Sequence, residues 1–420
     1  MDSKSLLSNR FSAQVKKFSG ILSKDLSKPC KGFMYDMLYG IQKAKDIKLS
    51  EISRALCEDI ALIKTENRLS RNLMNFDLSE HINNELCRLS SGKLNNEDVI
   101  AIDPGDISKP YAKEMEHLCG IWDGSHQKGA RGYHLCQIVI ANTEHTKVVP
   151  CYSHLWSSEE DNYQGKREEI FKAIDTLTKY VGNKGIWVID REGDDNNIIK
   201  RFINDEKTFV TRLKYNRLIL YKKSFVTMQQ FTKNIETPHR AKIISYDDSK
   251  KEKEVAIEYG AEKIQLNGIK ETLIALVVKG FGENSMVLIT NQQLSLYDAN
   301  QCYKILDNYL TRWKCDETYR YVKQAYNLED VRVRKIVAIK NTVALVMAVA
   351  YFAMIYMGTS LKLKIMKEKI FVLAKRFFAI PVFFCYSMAD GIYNLLKSSN
   401  APINKKSKPP NEFQLFFNFD

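Results

Sequence analysis

The sequence has no closely spaced pair of cysteines that could begin a zinc site or a disulfide framework. Its nine cysteines are an odd number, are scattered between residues 30 and 385, and never occur as C-x-x-C. The seven histidines are equally dispersed. This pattern argues against a disulfide-stapled secreted domain and predicts reduced thiols in a cytosolic protein.

A long uninterrupted apolar run is also missing. Residues 1–17 are polar, so we expect no signal peptide. The most apolar stretch, 343–357 (VALVMAVAYFAMIYM), falls short of the roughly 20 residues of a membrane-spanning helix. The later run 370–388 is interrupted by Lys375, Arg376 and Pro381. Both runs are expected to be buried core helices, and no membrane partner is predicted.

The charge that is present in excess is positive. The 420 residues include 63 Lys and Arg against 50 Asp and Glu, a net charge of +13. Such a surplus favours an acidic polymer such as nucleic acid, or an anionic membrane surface. The length allows a large core and two or three domains, and no internal repeat is visible.

The stretch 309–323 (YLTRWKCDETYRYVK) contains no Pro or Gly and is predicted to be helical, within a helix that Ser295 could cap. At about 100° per residue, one narrow face carries a phenol, two guanidinium groups, an ammonium and one carboxylate. These residues are Tyr309, Arg312, Asp316, Arg320 and Lys323. A carboxylate among cations suits a site where the acid binds a metal and the bases bind a phosphodiester. The alternative is a solvated, salt-bridged helix face.

Two apolar strands upstream each stop at an aspartate. Residues 99–102 (VIAI) run into Asp103 and a Pro-Gly turn, and residues 186–189 (IWVI) run into Asp190. Asp103 could instead simply begin the turn. Between the strands we predict a hairpin (132–141 and 147–153, with a turn at 142–145) and a helix (157–181).

This strand–strand–strand–helix–strand order is that of the RNase H-like fold. The first and fourth strands are neighbours in that fold, which would bring Asp103 and Asp190 together. Asp194 and Asp195 are expected to cap the helix that begins near Asn196. A further strand (209–213) and a β-rich insertion (214–291) follow.

The region before the first strand is predicted to be helical. Ser50 is a possible cap for a helix through Leu56, and 65–73 suggests a second helix with Arg68 and Arg71 on its exposed edge. A helix-turn-helix-like pair that binds DNA through these arginines and a plain helical cap are equally compatible with the pattern. Residues 89–97 are expected to form a linker.

The spacing of Tyr309, Arg312, Asp316 and Lys323 resembles the Y-R-E-K signature of bacterial insertion-sequence transposases of the DDE type, with Asp316 where the family has Glu. The D-R-x-x-D at Asp190 resembles the second acid motif of the same enzymes. Together with Asp103 and the β-rich insertion, the resemblance covers residues 99–325.

The resemblance implies an α/β fold: an RNase H-like mixed sheet with a β-rich insertion between the second and third acids, a helical N-terminal domain and C-terminal helices. It implies that Asp103, Asp190 and Asp316 hold two divalent cations, normally Mg²⁺, for DNA cleavage and strand transfer. Tyr309, Arg312 and Lys323 would bind DNA phosphates. We add Arg320, Arg191, Arg68 and Arg71 as candidate DNA contacts. A homodimer on paired DNA ends and a bacterial cytoplasmic location are also implied.

The third acid has two candidates. Asp316 shares the face of Tyr309, Arg312 and Lys323, whereas Glu317 is longer but points about 100° further round. We favour Asp316 and keep Glu317 as the second catalytic candidate.

The predicted regions are a helical DNA-binding domain (1–90), a split catalytic core (98–213 and 292–396), the β-rich insertion (214–291) and a disordered tail (397–420). A catalytically inactive DNA-binding relative and another RNase H-like nuclease remain open alternatives.

Overall fold

The structure, a computed structural model, describes residues 3–124, 127–246, 252–374 and 384–397. Within these ranges the chain forms a large mixed sheet with helices against it. The strands are β1 (Val99–Ser108), β2 (Cys119–Asp123), β3 (Lys128–Ala141), β4 (Val148–Trp156), β5 (Ile186–Ile189), β6 (Thr208–Arg212), β7 (Leu218–Tyr221), β8 (Ser224–Thr227), β9 (His239–Tyr246), β10 (Glu252–Leu266), β11 (Leu273–Lys279) and β12 (Met286–Thr290). The helices are α1 (Ser3–Leu22), α2 (Lys28–Ala44), α3 (Leu49–Leu56), α4 (Leu62–Asn75), α5 (Ser79–Ser91), α6 (Lys166–Val181), α7 (Asn196–Asn204), α8 (Met228–Asn234), α9 (Ala299–Thr311), α10 (Trp313–Tyr326), α11 (Ile336–Met354), α12 (Leu361–Val372) and α13 (Cys385–Lys397).

The centre of the sheet has the neighbours that the strand order predicted. β1 lies between β3, to which it is antiparallel, and β5, to which it is parallel, and β6 is parallel to β5 on the far side. β4 pairs with β3, as the predicted hairpin requires. The short edge strand β2 was not predicted from the sequence; it pairs with the first residues of β3, which begins four residues earlier than expected.

The first strand is longer than predicted, and this changes the setting of Asp103. β1 does not stop at residue 102 but continues through the Pro-Gly pair to Ser108, because the 14-residue β3 offers a partner along its whole length. The interpretation of Asp103 as a turn residue is therefore wrong. The parallel pairing with β5 ends at Ile102 and Ile189, so Asp103 and Asp190 are the next residues at the same level.

The region 214–291 is β-rich, as expected, and it extends the central sheet. β12 pairs with β6, β11 with β12, and β10 with β11, so the strand order continues outward from the centre. Pro-free apolar runs such as β11 and β12 are buried in this part of the sheet.

The N-terminal helices belong to the same hydrophobic core as α11 and one face of the sheet. The buried amide of Asn341 on α11 ties them together: it accepts from the Leu78 amide and donates to the carbonyls of Leu73 and Phe76. The predicted linker at 89–97 is partly wrong, because α5 continues to Ser91 with its apolar face buried. The cap predicted at Ser50 is also wrong, since α3 already begins at Leu49.

The apolar run near residue 343 forms most of α11. Among the described residues, 336–358 is the one segment long and apolar enough to cross a membrane, but 89% of its apolar window is buried inside the protein. This is the burial expected of a core helix. The predicted tail lies outside the described residues except for Lys397, and so do residues 375–383 of the last predicted helical region.

The predicted signature helix is divided in two. α9 begins at Ala299 with Asp298 as its cap rather than Ser295, and α10 begins at Trp313. Arg312 keeps helical dihedral angles at the junction, where the backbone tightens to i→i+3 hydrogen bonds, Arg312 N to Tyr309 O at 3.2 Å and Cys315 N to Arg312 O at 2.8 Å. The helix predicted from residue 157 likewise begins later, at Lys166.

Candidate active site

Three acidic residues from three separate elements lie near one arginine, which contacts two of them. The Arg312 guanidinium, at the junction of α9 and α10, donates from Nη1 to Asp103 Oδ1 at 3.0 Å. Its Nη2 lies 3.3 Å from Asp316 Oδ2, one turn further along α10. The Arg312 side chain is 9% exposed and that of Asp103 is 19% exposed, so water screens this pair weakly.

The third acid is held by the tyrosine of the same helix face. Tyr309 donates its hydroxyl to Asp190 Oδ1 at 2.7 Å, directly after β5. Burial, and then the charge of Asp190, raises the pKa of Tyr309 to about 12, so the phenol stays a donor at neutral pH. Tyr309 therefore orients the carboxylate of Asp190 at the edge of the sheet.

The crowding of the acids changes their proton affinities in opposite directions. Burial, and then the carboxylate of Asp316, raises the pKa of Asp103 to about 7, against the opposing effect of Arg312. Burial also acts to raise the pKa of Asp190, but Arg312 and the Tyr309 hydroxyl outweigh it and hold that pKa below its usual value. Burial acts to lower the pKa of Arg312, yet the three acids raise it, so the guanidinium remains charged. One positive charge thus offsets part of the repulsion among three carboxylates.

The donor chemistry of this cluster suits a hard divalent cation, since Mg²⁺ prefers carboxylate oxygens. In the described ranges, however, no three His, Cys, Asp or Glu side chains are arranged to hold a metal ion. The Arg312 guanidinium lies against one oxygen of Asp103 and one oxygen of Asp316. The acids fit a cation by their chemistry, and this guanidinium competes with a cation for the same oxygens.

A large cleft opens beside the acids. Its volume is about 1760 Å³, and Asp103 and Asp316 are among the residues that line it. Lys323 and Arg320 of the signature helix line it too. Lys323 lies 2.6 Å from Glu329 and over the ring of Tyr319, and Arg320 is exposed.

Further cations line the same cleft from other elements. They come from the loop before β2, from β3 and from the segment after α10: Lys113, Lys128, Arg332 and Arg334. Within the described part of the chain no ion pair involves any of these four. Lys113 and Lys128 could not be predicted, because the unpredicted strand β2 and the start of β3 build that wall of the cleft.

Glu317, the second candidate for the third acid, also lines the cleft, but it pairs with Lys314 at 2.8 Å rather than with Arg312. The other predicted residues have contacts of their own. Arg191 stacks on the ring of Tyr215, 4.9 Å from its centroid. Asp195 caps α7 through two backbone amides, as predicted.

The prediction that Asp194 also caps this helix is wrong, because its carboxylate accepts a hydrogen bond from the backbone amide of Lys214.

The two arginines predicted to bind DNA from the N-terminal helices lie in different environments. Arg71 is exposed. Arg68 bridges Asp36 and Glu58, with both N–O distances 2.7 Å. Asp36 is nearly buried, so this bridge holds α2 and α4 together, and Arg68 is not a free surface cation for DNA.

Comparison with known proteins gives little further information. No protein-family model matches the chain, and no curated protein matches it. Among solved structures it is similar to a "piggyBac transposase synaptic complex with hairpin DNA", with 8% sequence identity and a TM-score of 0.44 over 98% of this chain and 83% of that one. A TM-score below 0.5 does not establish a common fold, so this likeness carries no argument about the function of the chain.

Proposed function

We propose that this protein is a DDE-type DNA transposase, which cleaves DNA at the ends of its element and joins them to a target. The observation that carries the proposal is the convergence of Asp103, Asp190 and Asp316, from β1, the end of β5 and α10, beside a cation-lined cleft. The strand order around β1 and β5 further supports an RNase H-like core.

In this proposal Asp103, Asp190 and Asp316 would hold two Mg²⁺ ions. Bound Mg²⁺ would activate the attacking oxygen and stabilise the leaving oxygen of the phosphodiester. The Tyr309 hydroxyl orients Asp190 and, together with Arg312, holds its pKa below the usual value. Arg312 offsets the charge of the acids in the DNA-free protein and then becomes available to a DNA phosphate, for which its planar fork is suited.

DNA would enter along the cleft. Lys323 and Arg320 on one side, with the cations on the loop before β2 and on β3, would contact backbone phosphates. Because such contacts release counterions, binding is expected to weaken steeply as salt rises.

A second candidate is a relative that only binds DNA. The contact of Arg312 with two of the three acids favours it, since that contact already satisfies them without a metal. The cleft would then be a binding surface alone.

Incubation of the purified protein with Mg²⁺ and the terminal DNA of its own element separates the two. The transposase proposal predicts nicking and joining, lost in Asp103→Asn and Asp190→Asn while DNA binding is kept. Asp195→Asn, which changes a helix cap instead, is the matched control and should remain active. Salt-sensitive binding with no cleavage by the wild-type protein would leave only the second candidate.

A further inference from the structure

A buried amide lies beside the first acid. Gln137 on β3 is the direct antiparallel partner of Asp103 on β1. Directly opposed residues project on the same face of a sheet, with their Cβ atoms about 4.5–5.5 Å apart. Gln137 is 2% exposed, and neither its Nε2 nor its Oε1 has a hydrogen-bond partner in the described part of the chain.

The next strand continues this row of polar side chains. Ser153 on β4 is the partner of Gln137, so its side chain projects on the same face. It too is 2% exposed, and no described group pairs with its Oγ. Asp103, Gln137 and Ser153 thus form one line across three strands, under α10, whose Cys315 Sγ lies 3.9 Å from the Gln137 carbonyl.

An unpaired polar group in a protein interior costs free energy, and an apolar side chain of the same shape would avoid that cost. Two adjacent residues with three unpaired polar atoms are therefore unexpected unless they gain partners in another state. The proposed function provides such a state: Arg312 now occupies Asp103 Oδ1, and a DNA phosphate bound in the cleft would be an alternative anion for that guanidinium.

We propose that Gln137, oriented by Ser153, is the positioning residue of Asp103 once Arg312 turns away. The Gln137 amide group donates to one oxygen of Asp103, which leaves the other oxygen for a cation. The Ser153 hydroxyl donates to Gln137 Oε1 and so fixes which end of the amide faces the acid. A second set of hydrogen bonds of this kind orients the direct ligands of metal sites. This inference rests on the proposed function, since it assumes that a divalent cation binds at Asp103.

The test is cation affinity rather than cleavage alone. Urea unfolding of the full chain at increasing Mn²⁺ gives an apparent dissociation constant from the cation-dependent stabilisation. Gln137→Met removes the amide and keeps the volume. We expect equal or greater stability without Mn²⁺, and an affinity for Mn²⁺ that is weaker by about 10-fold or more, the usual effect of losing such a hydrogen bond. A buried amide without this role would leave the affinity unchanged.

Two further variants make the test specific. Ser153→Ala should weaken Mn²⁺ binding in the same direction, and Ser153→Thr, which keeps the hydroxyl, should restore it. This pair also decides the matter if Gln137→Met does not fold. Gln42→Met is the matched control, because Gln42 is equally buried on α2 and its Oε1 also has no described partner; its Mn²⁺ affinity should equal that of the wild type.

The outcomes separate the inference from the proposed function. If the wild type binds Mn²⁺ and cleaves DNA, and the Gln137 and Ser153 variants bind Mn²⁺ as tightly, the inference is overturned and the function stands. If the wild type neither binds Mn²⁺ nor cleaves DNA, the proposed function fails and the inference fails with it.

Discussion

Replacement of Arg312 by methionine should lower the free energy of unfolding of the protein and at the same time increase its affinity for divalent cations. The substitution leaves Asp103 and Asp316 without the guanidinium that lies 3.0 and 3.3 Å from them. Removal of one partner of a buried ion pair costs about 3–5 kcal/mol. Because Asp316 is 43% exposed and is screened by water, we expect the lower end, about 3 kcal/mol.

Mg²⁺ should recover much of this loss. A ligand that binds only the folded state stabilises it by about 2.7 kcal/mol at 100 times its dissociation constant. In Arg312→Met the acids are open to the cation, whereas in the wild type the cation must first displace the guanidinium. Urea unfolding with a chelator measures the stability lost on substitution, and urea unfolding with Mg²⁺ measures the stability that the cation restores. The variant should gain more from Mg²⁺ than the wild type, although its DNA cleavage falls because it lacks the phosphate-binding group.

The N-terminal helices provide a matched control. Arg68 also bridges two acids, Asp36 and Glu58, with both N–O distances 2.7 Å. Arg68→Met should lose stability without regaining it from Mg²⁺, since among the described residues Arg68 contacts two acids and no third acid joins them. The reasoning is refuted if Arg312→Met gains no more from Mg²⁺ than the wild type, or if Arg68→Met gains as much.

Three individual contacts give further predictions. Asp316→Asn should abolish Mg²⁺-dependent nicking and Glu317→Gln should not; inactivity of Glu317→Gln alone would make the longer acid the third ligand. Burial lowers the pKa of Lys109 from 10.5 to about 8 in the folded protein. Between pH 8 and pH 10.5 the Lys109 amine is therefore protonated to a greater extent in the unfolded chain than in the folded one. The wild type should therefore gain stability relative to Lys109→Met as the pH rises from 8 to 10; a stability difference that does not change with pH would contradict this. Asn341→Leu should cost about 3 kcal/mol or more in urea unfolding, because it leaves three backbone groups unpaired, two of them buried and one partly buried, at about 1–3 kcal/mol each; a loss below 1 kcal/mol would contradict the bridging role.

The sequence is most informative where the pattern is local. Residues 186–189 form a strand with the predicted boundaries, because four apolar residues lie between a Gly-containing turn and an acid. The helical N-terminal region and the β-rich insertion are also predictable, since each is indicated by spacing and turn residues within a short window.

Features that depend on distant partners are not predictable in this way. Asp103 stands beside a Pro-Gly pair that suggests a turn, but the length of β3 keeps those residues in the strand. Its spacing within α4 predicts that Arg68 is exposed. Its partners Asp36 and Glu58 are on other segments, so the local pattern could not show that Arg68 forms ion pairs. Gln137 carries no local signal at all, and only the register of β1 and β3 places it beside Asp103.

The break in the signature helix has a similar origin. The stretch contains no Pro or Gly, so its composition predicts one continuous helix. The structure tightens the backbone at Arg312, where Tyr309 reaches Asp190 and the guanidinium reaches Asp103. That junction sets the directions in which Asp316 and Glu317 point. Lys314 further fixes Glu317 through an ion pair.

The central claim is that Asp103, Asp190 and Asp316 form one divalent-cation site. Anomalous diffraction from crystals of the full chain soaked in Mn²⁺ tests it most directly. We predict anomalous density among these three carboxylates, with the Arg312 guanidinium turned away from Asp103. At saturating Mn²⁺, an Arg312 that still bridges Asp103 and Asp316, with no anomalous density between the acids, would contradict the account.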